Sequence, residues 1–388
     1  VQSVALKLIV DLEKEIEAFI PVTYYEIEAT FHHMKADYVI SDKKRLTKEE
    51  ADLIVKESQN PFHVTDIKVK ENKRASKPAF ITSTLQQDAI SNLSMSASRT
   101  MMVAQSLYEG IEIGGEIVGL ITYMRTDSTR LAEPFIKEAQ SYIEKNFGKQ
   151  YLGKYSVTTN KNAQDAHEGI RPTSVERTPE SIEQYLSRDE LRLYKRIYQR
   201  AVASLMAPAI FDMTKIRVES NGHIYQADGS IEKFDGHLKV YSESKNKDKH
   251  LPHLKVGQEI TAKEVISIEK VTTPKTRYSE ATLIKEMESL GIGRPSTYSQ
   301  IIQTLKHRDY VELFEKRFKP TKQGVLTSEQ LDLFFSKIIN IEYTSKMETM
   351  LDEIADGTKS GLHLVSDFYY SFGPMVEKAQ KEIELVRA

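Results

Sequence analysis

The chain has 388 residues, with 54 Lys and Arg against 56 Asp and Glu, a formal net charge of −2 and no cysteine. Disulfides and cysteine-type zinc sites are therefore excluded, and so is a uniformly basic nucleic-acid coat. A basic groove within a neutral protein is not excluded, because local clustering governs phosphate binding. Hydrophobic residues make up 40% and charged residues 28%, as expected for a globular protein of roughly two to four domains. No apolar run reaches membrane-spanning length and no signal peptide is visible, which points to the cytoplasm and to no membrane partner.

Val4, Leu8 and Leu12 at helical spacing predict a helix over residues 1–20, ended by Pro21. The chain opens without Met and already inside that pattern, so it is expected to be a piece of a longer protein. Alternation predicts a strand over 24–31, and Thr47 with Glu50 forms a capping box for a helix to about Ser58. Residues 63–71 alternate again, and 73–78 read as a mobile basic link. From 84 to 208 the pattern is mainly helical, with helices expected over 85–93, 96–108, 131–146, 179–187 and 188–206. Ser96 starts the second of these and Gly110 closes it. Arg192, Lys195, Arg196 and Arg200 on the last read as a solvated basic face.

Residues 209–272 turn to β structure, with strands over 212–219 and 223–227 joined by the hairpin turn Asn221-Gly222. Further strands are expected over 238–241 and 259–270, with a polar loop over 245–250. From 274 the chain reads as helical. Ser279 caps a helix through Leu290, and Ser296 is the expected N-cap of the next. A small hairpin over 310–320 and helices over 322–335, 344–356 and 361–387 follow. β segments thus flank the helical unit on both sides. The fold class is multidomain α+β, with one β-rich domain entered twice (21–83 and 209–272) and a helical domain (84–208) inserted at its tip. The opening helix (1–20) and residues 273–388 form a helical base.

Two stretches carry candidate chemistry. In Ile121-Thr122-Tyr123-Met124-Arg125-Thr126-Asp127-Ser128-Thr129-Arg130 a strand is expected to end, with Gly114-Gly115 breaking the chain before it. Alternation puts Tyr123, Arg125 and Asp127 on one face. A tyrosine is a poor nucleophile near neutral pH, its pKa being about 10, but an adjacent guanidinium favours the phenolate and grips a phosphate. In Asp165-Ala166-His167-Glu168-Gly169-Ile170-Arg171-Pro172-Thr173, His167 can move a proton or hold a phosphate, and Arg171 can pair with one. A third stretch, Gly293-Arg294-Pro295-Ser296-Thr297-Tyr298, opens a helix, and such an N-terminus with Ser, Thr and Arg suits a phosphate.

These three strings, with 82–89 (Thr-Ser-Thr-Leu-Gln-Gln-Asp-Ala), 101–110 (Met-Met-Val-Ala-Gln-Ser-Leu-Tyr-Glu-Gly) and the opening Val1-Gln2-Ser3-Val4-Ala5-Leu6, closely resemble bacterial type IA DNA topoisomerases, in order from residue 1 to about 330. The resemblance implies a toroid in which the doubly entered β domain is the arch. It implies that Tyr123 attacks one DNA strand and keeps its 5′ end as a phosphotyrosine, that Arg125 holds the scissile phosphate, and that His167 assists. Glu168 and Arg171 would support DNA binding, Thr122 would help place the tyrosine, and Arg294, Ser296 and Thr297 would hold the single strand. Strand passage and resealing would need no ATP.

The resemblance also implies Mg²⁺, held by acidic residues of an N-terminal Toprim region that this sequence does not match. No metal ligands are therefore expected in these residues, and the piece alone is expected to be inactive in relaxing negatively supercoiled DNA. The family's C-terminal DNA-binding modules are not matched either, and a nucleoid-associated, cytoplasmic enzyme is implied. A tyrosine recombinase would place its Tyr after its Arg and His residues, the reverse of the order here. A single-strand-binding scaffold without catalysis is the other alternative.

Overall fold

The structure, a computed structural model, describes residues 1–40, 45–155, 167–241 and 248–386. In chain order the elements are α1 (Gln2–Glu17), β1 (Thr23–Thr30), β2 (Lys35–Tyr38), α2 (Lys48–Glu57), β3 (Phe62–Arg74), α3 (Thr82–Asp88), α4 (Ala97–Glu109), β4 (Ile111–Ile113) and β5 (Glu116–Val118). There follow α5 (Glu133–Phe147), α6 (Pro179–Ile182), α7 (Arg188–Ala203), β6 (Ala209–Ser220), β7 (His223–Phe234), β8 (Glu259–Ile260) and β9 (Glu264–Val271). The last are α8 (Glu280–Ser289), α9 (Tyr298–His307), β10 (Val311–Phe314), β11 (Arg317–Pro320), α10 (Lys322–Phe335), α11 (Ile341–Ala355) and α12 (Gly361–Val386).

The main sheet is antiparallel, in the order β8-β3-β6-β7-β2-β1-β9. The β6–β7 hairpin, which follows the helical unit in sequence, sits between β3 and β2, which precede it. Neither part of the chain can complete this sheet without the other. Its inward residues, among them Ile27, Ala29, Phe62, Val64, Ile216, Val218 and Tyr225, form one apolar core. A second core lies within the inserted helices and takes in Leu85, Leu107, Ile121, Met124, Ile170 and Tyr194. A third joins α1 to α8, α9 and the β10–β11 hairpin through Leu6, Ile9, Leu283, Ile302 and Phe318. Helical spacing in α1 places Leu6, Ile9 and Val10 on one buried stripe, which is why the opening helix packs against residues more than 270 positions away.

Local chemistry sets many of the ends. The Thr47 hydroxyl accepts from the Glu50 N–H and the Glu50 carboxylate accepts from the Thr47 N–H, starting α2. Ser187 and Ser279 cap α7 and α8 with the same reciprocal pair, and the Ser96 hydroxyl caps α4 by accepting from the Arg99 N–H. Gly110 closes α4 at φ 123°, with backbone that a side chain would strain.

The structure departs from the sequence reading in several places. α1 ends at Glu17, short of Pro21. The first two residues of the expected basic link end a long strand: Lys73 and Arg74 pair with Ile210 and Ala209, and the Arg74 guanidinium lies 4.2 Å from the Phe211 ring centre, while 75–78 form neither strand nor helix. The helix expected over 85–93 is α3 followed by a π-turn over Ala89–Leu93. Residues 236–239 form a 3₁₀ turn rather than a strand, held by the His237 N–H on the Ala207 carbonyl, and 259–270 is split into β8 and β9. Of the polar loop, 245–247 lie outside the described residues.

The basic residues of α7 do not form a solvated face. Arg196 makes a two-pronged ion pair with Asp88 at 2.7 and 2.5 Å. Arg200 is buried, donates to the Pro78 carbonyl and to the Tyr241 hydroxyl, and stacks on Phe80. Tyr241 in turn donates to Asp88 at 2.7 Å. Arg192 donates to the Leu93 carbonyl, and only Lys195 keeps to the rim, beside Glu180. The cations at 192, 196 and 200 thus bind α7 to the π-turn, to α3, and to Pro78 and Tyr241.

Removing one member of such a buried charged network leaves the others incompletely paired. Asp88→Ala is expected to destabilise the helical unit by about 3–5 kcal/mol, seen as an early step in thermal unfolding. Thr47→Ala is expected to cost only about 1 kcal/mol.

Candidate active site

β5 stops at Val118, so Tyr123 is not on a strand. Residues 119–130 form no strand; the two ends of the segment are fastened to another loop, 167–173. Ile121 bridges Pro172. The Thr122 N–H donates to the Arg171 carbonyl at 3.0 Å and the Arg171 N–H returns to the Thr122 hydroxyl at 3.0 Å. The Thr122 hydroxyl donates to the Gly169 carbonyl at 2.7 Å, and the Gly169 N–H donates to the Arg130 carbonyl at 2.7 Å. Alternation nonetheless survives in the burial. Met124, Thr126 and Ser128 are buried, Arg125 is exposed, and Tyr123 and Asp127 are half-buried.

The Tyr123 ring packs edge-on against Tyr108, with centres 5.3 Å apart, and against the His167 ring at 5.7 Å and 34°. Two rings therefore fix the phenol's direction, while its hydroxyl has no hydrogen-bond partner among the described residues. Arg125 likewise has no ion pair among them. A phenol held by its ring with its oxygen unused, two residues from an unpaired guanidinium, can receive a phosphate. Tyr108 went unnoticed as a site residue in the sequence. The string that holds it was legible, but nothing in its spacing marks it as a neighbour of Tyr123.

Glu168 and Arg171 are spent largely on each other. The Arg171 Nε and Nη2 donate to the Glu168 carboxylate at 2.8 and 3.2 Å, and the Arg171 guanidinium lies 4.5 Å from the Phe135 ring centre. Glu168 also accepts from the Ala132 N–H at 2.8 Å, at the start of α5. Burial pushes its carboxyl up, but the hydrogen bonds from Arg171 and Ala132 prevail and hold it below the ordinary Glu value. This places the pair behind His167 as a brace. Asp165 and Ala166, from the same string, lie outside the described residues.

The turn over 291–297 is built on two positive-φ glycines, Gly291 and Gly293. Arg294 is paired with Asp352 at 2.7 Å and donates to the Gly293 carbonyl at 2.8 Å, so it is already engaged. Thr297, not Ser296, is the residue before α9, and its hydroxyl serves the Arg294 N–H rather than capping the helix. Ser296 is exposed at the same turn. This turn lies within electrostatic reach of the tyrosine segment. Burial pushes the Asp127 carboxyl up, and Arg294, Asp352 and His167 all act on it. Tyr123 and His167 are neighbours, and Arg294 acts on Asp127, four residues beyond Tyr123.

Among the described residues, no group of three or more His, Asp or Glu side chains could hold a metal ion. These residues therefore do not fit the Mg²⁺ that the resemblance implies. No helix among them is long and apolar enough to cross a membrane.

The chain is thus mixed α+β, with one antiparallel sheet built from strands on both sides of a largely helical stretch. A family model described as DNA topoisomerase matches residues 1–366, and the chain belongs to that family. The solved structure of full-length topoisomerase I from Thermotoga maritima matches with a TM-score of 0.87 and 36% identity, over 96% of this chain and 62% of that one. The chain therefore spans 62% of the length of that relative. The family is the type IA topoisomerase I group to which the sequence motifs pointed.

The depressed Glu168 carboxyl gives a pH prediction. Its contribution to stability is present above the ordinary Glu value of 4.5 and is lost as pH falls through the lower folded value. Glu168→Gln is expected to lower the melting temperature at pH 7 and to leave a flatter acid limb below pH 4.5, read by thermal unfolding across pH. An unchanged acid limb would count against the brace.

Proposed function

We propose that this chain carries the cleavage nucleophile and much of the single-strand groove of a type IA topoisomerase I. The enzyme would relax negatively supercoiled DNA without ATP. In this reading the Tyr123 phenol loses its proton and its oxygen attacks a backbone phosphorus. An O–P bond to tyrosine forms as the P–O3′ bond breaks. The departing 3′ oxygen takes up a proton, and the downstream strand stays attached as a 5′-phosphotyrosine. Resealing is the reverse, with the 3′ hydroxyl as nucleophile and the phenol as leaving group. The ester conserves the bond energy, so no nucleotide is consumed.

The observation that carries this reading is the Tyr123–Arg125 pair: a ring clamped by Tyr108 and His167, a hydroxyl with no hydrogen-bond partner among the described residues, and, two residues on, an exposed guanidinium with no ion pair among them. Arg125 binds the phosphate and offsets charge developing on its oxygens. His167, beside the phenol ring, exchanges the proton or adds a contact to the phosphate. Thr122, Glu168 and Arg171 hold the loop that carries His167. Exposed Ser296 with Thr297 and Arg294 receives the single strand at the start of α9. Arg294 does so in company with Asp352, which tempers its charge. The sheet acts as the arch, the unit near 84–208 carries the tyrosine, and α1 with 273–388 forms the base. An acidic Toprim region is the partner in this reading, supplying the Mg²⁺ ligands, and the compartment is the cytoplasm.

The test uses the complete natural enzyme, an end-labelled single-stranded oligonucleotide and Mg²⁺, with adducts resolved on a denaturing gel. A 5′-linked adduct absent from Tyr123→Phe is expected, with Arg125→Ala slowing its formation by about 100-fold. An adduct that persists in Tyr123→Phe, or none from the wild type, would overturn the assignment. Residues 1–388 alone are expected to give neither adduct nor relaxation, and robust relaxation by them would refute the need for a Toprim partner.

A further inference from the structure

α3 begins at Thr82, whose side chain is fully buried. Its hydroxyl donates to the Met124 carbonyl at 2.7 Å and accepts from the Thr126 N–H at 2.9 Å. Its own N–H donates to the Thr126 carbonyl at 2.9 Å. The backbone on both sides of Arg125 is therefore fastened to one threonine. The next residue, Ser83, donates to the Glu288 carboxylate on α8 at 2.6 Å, and α3 packs along α8. One turn thus grips the arginine segment on one side and the core of α1, α8 and α9 on the other.

We propose that Thr82 is a positioning residue for strand cleavage, which sets where the Arg125 guanidinium reaches by fixing the backbone at Met124 and Thr126. Ser83 ties that grip to the seating of the helical unit on Glu288. The inference rests on the function proposed above and deepens it. Its physical basis is the absence of any ladder at this place. β5 has ended at Val118, and the link to loop 167–173 runs through Ile121 and Thr122 and resumes at Arg130. Between those anchors the two peptides flanking Arg125 hang on Thr82. A residue present only to fill space would be replaceable by valine. Here valine leaves a buried N–H at Thr126 and a buried carbonyl at Met124 without this partner, and the segment must shift to satisfy them.

The experiment measures the rate of adduct formation and the Kd for a single-stranded oligonucleotide in the complete natural enzyme. Thr82→Val is expected to slow cleavage by about 100-fold while Kd stays within about twofold, as misplacement of a reacting group does. Thr82→Ser, which keeps the hydroxyl, is expected to recover the rate to within about threefold. Thr100→Val serves as the control: that threonine is equally buried, but its hydroxyl serves only the Ser96 carbonyl inside α4. It should lower the melting temperature and leave the rate alone. Wild-type rate in Thr82→Val, no recovery in Thr82→Ser, or equal loss in Thr100→Val would each overturn the inference. If Thr82→Val does not fold, Ser83→Ala decides: a rate about tenfold lower at unchanged Kd supports the link, and an unchanged rate overturns it. A Tyr123-dependent adduct with full rate in Thr82→Val would fail this inference alone. Absence of that adduct from the wild type would fail the function reading and this one with it.

Discussion

The structure around Tyr123 depends on the pairing of two irregular segments through Thr122. Its hydroxyl donates to the Gly169 carbonyl and accepts the Arg171 N–H, while its own N–H reaches the Arg171 carbonyl. One short side chain thereby does for two loops what a ladder does for two strands. The loop pairing brings the Tyr123 and His167 rings together, tilted 34° with centres 5.7 Å apart. It also leaves Tyr123 and Arg125 on the open side while Met124 and Thr126 are sealed into the core.

Electrostatics separates the cations into two groups. Arg171, Arg196, Arg200 and Arg294 are all engaged by carboxylates, carbonyls or aromatic faces. They hold loops and helices in place, and the low exposure of Arg171, Arg196 and Arg200 makes those contacts costly to break. Arg125 is exposed, with no ion pair among the described residues, and it stands two residues from the phenol. A neutral net charge is compatible with a phosphate site for this reason: what matters is which guanidinium is left unused, not how many there are.

The tyrosine-bearing helices meet α8 and α9 by close helix packing, with polar contacts at its edges. Ser83 with Glu288, the Ala97 N–H with Glu280, and Gln303 with Ser98 link the tyrosine-bearing helices to α8 and α9. Ala97 itself is buried in the core of α1, α8 and α9. Polar contacts of this kind exchange with water at small net cost.

Caps, turns and amphipathic spacing were readable directly, because they depend on neighbours a few residues away. Thr47 with Glu50, Ser96, Ser279, Gly110 and Asn221-Gly222 all punctuate the chain where their chemistry requires. The alternation that puts Tyr123 and Arg125 together was readable for the same reason, and so were the motifs that led to the family. Tertiary structure alone decided the rest. It turned a supposed basic face of α7 inward, because Asp88 and Tyr241, far away in sequence, supply the partners. It ended β5 at Val118 because the partner for 119–130 is a loop some 50 residues on, which no local period encodes. It engaged Arg294 with Asp352 and brought Tyr108 against Tyr123. Local sequence carries the propensities and the reactive groups, whereas their pairing is set by burial and hydrogen-bond satisfaction across the whole chain.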